Sequence, residues 1–328
     1  MDDDLDEQLW VALQPEAARQ VKRVRAAGTR FVHYTSAESG IAILRSNRML
    51  LRNSALLNDF SEVQHGLACL THAFQSSVGL RLQDMMRRVQ TDLPEIFAGN
   101  FDQLALDLKS ETYLLSISEH GDGLEDQFGR LSMWRAYANR NGIAFVFNNK
   151  PFVAENDVLH AYSSPVIYST VDGYLTHFDE VVKGVEGAFE IIAQRGGANM
   201  HDLLTHAFRF AIQSVKHPAF EEEREWRVIY APTMLLREGL MDEQQLKKVP
   251  TEIMTLGGVP QRVYSIPFQN HPEQDFMGAT IPEILDRVLI GPSPDAYAIA
   301  QAFVAELSVC GVEDAHSKVQ ITHIPLRT

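Results

Sequence analysis

Short apolar runs that read as β-strands recur along the whole chain, separated by helical stretches of very unequal length, and this dispersal constrains the fold more than any other feature. The runs fall at residues 31–35, 49–51, 113–118, 143–147, 166–168, 225–230, 263–267, 288–290 and 319–324. A barrel calls for evenly connected strands, and a doubly wound sheet calls for regular alternation of strand and helix. Neither pattern is present, so the spacing predicts an α+β chain with one mixed sheet flanked by helices.

The helical stretches are as legible as the strands. Leu5, Leu9, Leu13, Ala17, Val21 and Val24 recur near helical spacing over residues 5–27, with a break at Pro15. Ser36 is placed to cap a helix running to about Arg45, and a long helical pattern over residues 61–109 is interrupted near Pro94. Two more helical stretches lie between residues 179 and 216, a short one over 131–138 and another near 296–307. No Pro/Gly/Ser-rich linker divides the chain. The expected organisation is therefore an N-terminal helical appendage over residues 1–27 and one α+β domain over 28–328, with helical insertions near 60–110 and 172–216.

Composition narrows the functional classes. With 328 residues and 45% hydrophobic content the chain can bury a large core without disulfides or structural metal. Its two cysteines, Cys69 and Cys310, cannot build a four-thiolate zinc site or a disulfide framework, which fits a reducing cytoplasm. Met1 is followed by three aspartates, the reverse of a basic signal-peptide start, and no apolar run approaches the roughly 20 residues of a membrane span. A net charge of −14 opposes nonspecific attachment to nucleic-acid backbones and anionic membranes, although Arg81, Arg87 and Arg88 form a small basic group that reads either as a local cleft or as a solvated helix face.

Several catalytic signatures are absent: there is no phosphate-binding glycine loop, no H-E-x-x-H and no nucleophile elbow. His65, Cys69 and His72 share one helical face, a spacing open to a metal site and equally to an ordinary helix with a buried cysteine; no metal is expected. The segment from Glu221 to Arg227 carries more chemistry. In a strand, Glu223, Glu225 and Arg227 would share one face while Trp226, Val228 and Tyr230 pack on the other. Two carboxylates and a guanidinium in one strip suit stabilisation of an oxocarbenium-like centre and a grip on a ribose hydroxyl. The same residues also fit an exposed acidic stretch with Arg227 paired to Asp59 or Glu62. Other polar residues sit in strand runs, namely His33 between Val32 and Tyr34, and Ser116 and Ser118 alternating with Leu115 and Ile117. Together they ask for a common site.

The series Phe31-Val32-His33-Tyr34-Thr35, Asn58-Asp59 with Glu62, Ser116-Ile117-Ser118, Trp134 with Tyr137, Glu223-Arg224-Glu225-Trp226-Arg227 and Ile290-Gly291-Pro292 resembles a widespread bacterial family of domains of unknown function, over nearly the whole chain from about residue 31. More distantly, the order His, Ser-x-Ser, Glu-x-Glu is similar to that of ADP-ribosyltransferases, whose split sheet grips NAD. That likeness implies that Glu225 is the catalytic glutamate and that Glu223 orients the acceptor. It further implies that His33, with Tyr34, holds an NAD ribose, that Ser116 and Ser118 support the nicotinamide-side strand, and that Tyr137 stacks on nicotinamide; Arg227, on the same strand face as Glu225, would by its charge keep a neighbouring carboxylate ionised. The arginine found in the first motif of one major transferase class is missing.

The resulting expectation is transfer of ADP-ribose from NAD, used as a substrate, to a macromolecular acceptor, protein or nucleic acid, with NAD hydrolysis by the same site close behind. A toxin or phage-defence effector held in check by an inhibitory partner protein would suit such a chain, and no membrane partner is expected. Two other classes stay open. One is a nonenzymatic nucleotide- or protein-recognition module built on Trp134, Tyr137, Glu225 and Arg227. The other is a metal-dependent hydrolase using Asp59, Glu62, Glu223 and Glu225.

Overall fold

The computed structural model describes residues 2–56, 60–138, 140–154, 158–237 and 241–325. Among these the strands are β1 (Arg30–Ser36), β2 (Arg48–Asn53), β3 (Tyr113–His120), β4 (Gly142–Phe147), β5 (Tyr162–Pro165), β6 (Ile167–Tyr168), β7 (Val215–Lys216), β8 (Glu225–Tyr230), β9 (Thr251–Leu256), β10 (Val259–Pro267), β11 (Leu285–Ile290) and β12 (Val319–Ile321). The class is α+β, with an open, mostly antiparallel sheet flanked by helices. The chain forms two compact units. One comprises residues 1–22, 53–112 and 164–221, the other residues 23–52, 113–163 and 222–328.

The first unit is helical. Phe60–Gln75, Ser77–Val89, Leu93–Glu111, Tyr174–Gly187 and Gly196–Gln213 are its main helices. Their inward faces bury Leu70, Met86, Phe97, Phe178, Val182, Leu204, Phe208 and Ile212 in one cluster. The chain break near Pro94 expected from the sequence is a full one: helices end at Val89 and restart at Leu93 with Pro94 in the first turn, where the missing N–H costs nothing. Buried in this unit, Lys216 and Glu62 form an ion pair at 2.7 Å.

The second unit holds the sheet, in the order β12-β11-β4-β1-β3-β2-β10-β9, with β8 laid along β3. Ser36 caps the helix Ala37–Ser46 as its position predicts, accepting a hydrogen bond from the Ser39 amide. One side of the sheet is aromatic: Phe31 meets Phe152 and Trp226 edge-on at 5.2 and 5.1 Å, and Phe145 meets Phe147 and Phe303. The other side buries Val32, Tyr34, Ala144, Val146 and Leu289 under Met133 and Trp134 of the helix Leu131–Tyr137. Trp134 donates its indole N–H to the Phe128 carbonyl at 2.7 Å and stacks edge-on against Tyr34, whose hydroxyl accepts the Arg130 amide at 2.9 Å. Gly291 is required here, because a Cβ on it would lie 2.8 Å from the Trp134 ring.

Candidate functional site

The sheet forks at Ser118. That residue pairs on one edge with Val32 of β1 and on the other with Glu225 of β8. β1 stays with β3 only from Arg30 to Val32, then continues along β4 as far as Ser36. β2 takes the edge of β3 that β1 has left. His33 is the first residue past the fork, and its ring Nδ1 lies 3.1 Å from the Ser116 carbonyl, across the opening. A carbonyl only accepts, so this contact places the proton of the neutral ring on Nδ1 and leaves Nε2 as an acceptor. Burial pushes the His33 pKa down, and the hydrogen bond to Ser116 opposes that shift in part.

On β8 the alternation predicted from the sequence holds from Glu225 onward. Trp226 meets Phe31 on the aromatic side and donates to Glu119 Oε1 at 2.9 Å. Glu225 and Arg227 point to the opposite side, level with Ser118 and Ser116. The Ser116 hydroxyl donates to Glu225 Oε1 at 2.6 Å, Arg227 Nε donates to the same oxygen at 3.0 Å, and Arg227 Nη2 reaches Oε2 at 3.3 Å. Glu225 and Arg227 are 6% and 3% exposed, whereas Ser116 is exposed and marks the open end of the group. A two-point guanidinium–carboxylate pair of this kind fixes the carboxylate in orientation.

Glu223 does not join this strip. Arg224 sits at φ +44°, in the left-handed region, and its carbonyl accepts the Glu119 amide at 2.9 Å. The kink ends the strand alternation, so Glu223 lies in the 3₁₀ turn Pro218–Glu223 and accepts the Tyr137 hydroxyl at 3.0 Å. Tyr137, half-buried, packs against the cluster of Val32, Tyr34 and Trp134. Tyr34 is itself in that cluster, and Ser118 is 3% exposed, facing Glu225 in register. The structure thus brings Ser116, Ser118, Glu225 and Arg227 together on one side of β3 and β8, while His33, set between Val32 and Tyr34 in β1, faces the other side and reaches this group through the Ser116 carbonyl. Glu223 and Tyr137, both half-buried, and the buried Tyr34 form a neighbouring set.

Sequence reasoning missed a second charged group in this unit. His120, with a fully buried side chain, lies with Nε2 3.3 Å from Asp126 and Nδ1 3.9 Å from Glu125. Glu125 also binds Arg130 at 3.2 Å and pairs with Arg224, while Asp126 binds Arg30 and Arg287 at 2.7 and 3.2 Å. Burial and the nearby Arg30 push the His120 pKa down. The Gly121–Gly129 stretch, which reads as a loop, contains the short helix Leu124–Phe128 that carries both carboxylates. Only the density of Asp and Glu between its glycines signalled this.

The metal readings find their residues otherwise engaged. Asp59 and Asn58 lie outside the described residues. Glu62 is held by Lys216, and Glu225 by Ser116 and Arg227. His65 bonds the Ser169 carbonyl at 2.8 Å and His72 pairs with Asp172 at 3.4 Å. The Cys69 thiol, fully buried, is pushed up to about 11 and stays protonated at neutral pH. Among the described residues, Glu16, His177 and Glu180 lie close enough to share an ion, but the Arg19 guanidinium already bridges the two carboxylates at 2.5 and 2.6 Å.

This is therefore an α+β protein whose sheet forks beside a buried carboxylate–guanidinium pair. A family model described as Protein of unknown function (DUF2971) matches residues 133–228, a span that takes in Trp134, Tyr137, Glu223, Glu225 and Arg227. His33, Ser116, Ser118 and Gly291 lie outside the matched residues. No curated protein and no solved structure matches the chain. Among the described residues, no helix is long and apolar enough to cross a membrane.

Proposed function

We propose that this chain transfers ADP-ribose from NAD to a macromolecular acceptor, with Glu225 as the catalytic carboxylate. The observation that carries the reading is the fork itself. It opens the sheet at His33, and Glu225 is held beside it by Ser116 and Arg227. In this reaction the bond between the nicotinamide nitrogen and ribose C1′ breaks. Nicotinamide leaves neutral with the bonding pair, and the acceptor's nucleophile forms the new bond at C1′ and gives up its proton to solvent.

Positive charge develops on the ribose as the bond lengthens. A carboxylate already oriented by two donors acts on that charge without reorganising, which is where electrostatic catalysis gains most. His33, neutral and with Nε2 free to accept, would take a hydrogen bond from a ribose hydroxyl. Glu223 would orient the acceptor, and Tyr137, whose hydroxyl donates to Glu223, would stack on nicotinamide. A toxin or phage-defence effector restrained by a partner protein is the biological setting this reading implies.

The test is to incubate the purified chain with NAD and follow nicotinamide release, with and without cell extract, while mass spectrometry searches the extract for an added ADP-ribose. Release that depends on extract, with a modified acceptor, supports transfer; release without extract supports hydrolysis by the same site. No release in either arm overturns the proposal. A second reading, a recognition module that binds nucleotide without consuming it, is favoured by the burial of both Glu225 and Arg227. Calorimetric binding of NAD with no nicotinamide released selects it.

A further inference from the structure

We propose that the groove between the helices Ala37–Ser46 and Ala296–Val309 seats a second copy of this chain, docked antiparallel about a twofold axis. The helix Ala296–Val309 holds one charged residue in fourteen, Glu306, and is apolar almost all round. A helix of that character is normally covered on every side. Here Ala296, Phe303 and Leu307 face the core, while Ala298, Ala302 and Ala305 are exposed and Tyr297 and Val309 are 74% and 82% exposed. Gly40 lets the two helices close up, since a Cβ there would lie 2.8 Å from the Phe303 ring. The groove left above that contact has a volume of about 460 Å³ and is lined by Glu38, Ile41, Ala42 and Arg45 on one wall and Ile299 and Ala302 on the other.

The charges on the first wall select the occupant. Glu38 and Arg45 are seven residues apart, so they share one helix face, roughly 10 Å apart along the axis, with Ile41 and Ala42 between them. A twofold axis perpendicular to the helix reverses this order. Glu38 then faces Arg45 of the second copy, the mirror pair forms by symmetry, and the apolar residues meet at the centre. The pattern is its own complement in the antiparallel sense and not in the parallel one. Arg45 can serve two partners: it uses Nε and Nη2 on Glu306 Oε1 in its own chain, is 67% exposed, and keeps further donors free of that contact. An apolar centre with an oppositely charged rim is the anatomy of a specific interface.

Light scattering coupled to size exclusion, run across the micromolar range on the full chain, should give twice the 36.9 kDa chain mass. Ala302→Glu places a charge on the apolar wall at an exposed helical position. It should leave the melting temperature in place and raise the dimer dissociation constant at least about tenfold. Glu38→Arg and Arg45→Glu should each shift the chain to monomer, and mixing the two should restore a dimer, because each then supplies the charges the other lacks. A parent that stays monomeric throughout overturns the proposal, as does a dimer indifferent to Ala302→Glu. Failure of the folded charge variants to pair on mixing overturns the antiparallel docking.

Discussion

Replacing Glu225 by Gln removes one negative charge from a site where the partner guanidinium is almost wholly buried, and the consequences separate chemistry from architecture. The geometry makes this more than a chemical change. Gln can keep the acceptor at Oε1 for Ser116 and Arg227 Nε, but its amide would point donors at Arg227 Nη2, and the carboxylate charge opposite Arg227 is gone. Breaking a buried pair in this way costs about 3 kcal/mol. At roughly 2–4 °C per kcal/mol for a domain of 150–250 residues, the melting temperature should fall by about 6–12 °C. Glu225→Gln combined with Arg227→Met removes both members of the pair and should recover most of that loss. Nicotinamide release, assayed well below the melting temperature of each variant, should drop on the order of 100-fold in the single variant and stay low in the double variant. Calorimetry on the still-folded single variant should show NAD affinity nearly unchanged. An unchanged melting temperature in the single variant refutes the ion-pair reasoning, and a double variant that regains turnover refutes a catalytic role for Glu225.

Two further outcomes follow from buried groups. His120 has a native pKa below its ordinary 6.5, so as pH falls through that value the unfolded chain takes up a proton that the native chain binds less readily. Its contribution to stability is present above about pH 6.5 and lost below, at up to about 1.4 kcal/mol per pH unit; the slope of denaturant stability between pH 7 and 5 should become shallower in His120→Gln, and an identical slope would exclude His120 as its source. Gly291→Ala sets a Cβ 2.8 Å from the Trp134 ring and 3.0 Å from the Gly142 carbonyl, overpacking that should cost about 1–3 kcal/mol in urea titration, with an unperturbed midpoint counting against the contact.

The sequence carries the parts of this fold that rest on local periodicity and loses those that rest on distant partners. β8 and β3 are legible because β-branched and aromatic residues alternate with polar ones, and the Ser36 cap is legible because a hydroxyl precedes an apolar helical run. The hairpin of β9 and β10 is half hidden. In β9 all six residues are exposed or half-buried, so no apolar face announces it, although the Gly257-Gly258 pair between the strands is the usual turn signal. Glu223 leaves the strand face that its spacing predicts because Arg224 takes a left-handed backbone, which an arginine, with no special tolerance for that region, does not announce. The network around His120 was invisible because its partners come from residues 30, 125, 126, 130, 224 and 287, which no window of sequence contains.

The residues that stand out in the sequence divide by physical task. Tyr34, Trp134 and Gly291 form a single packing knot: one indole, the hydroxyl that caps Arg130, and the glycine that makes room for the ring. Trp226 joins the aromatic side of the sheet through Phe31 and Glu119. These four account for the rarest letters of the motifs without any ligand. What they leave over includes His33, Ser116, Glu225 and Arg227, which lie on the strands next to the point where β1 parts from β3. A buried ion pair seldom adds net stability over a hydrophobic pair of similar size, so packing alone gives little reason to place one on a central strand. Backbone pairing, moreover, is interrupted at the same point, leaving a half-buried histidine to bond the Ser116 carbonyl. Two separate departures from what stability favours therefore coincide within one small region. That coincidence is the physical basis for seeking the chemistry at Glu225 and His33 rather than at Trp134 or Tyr34.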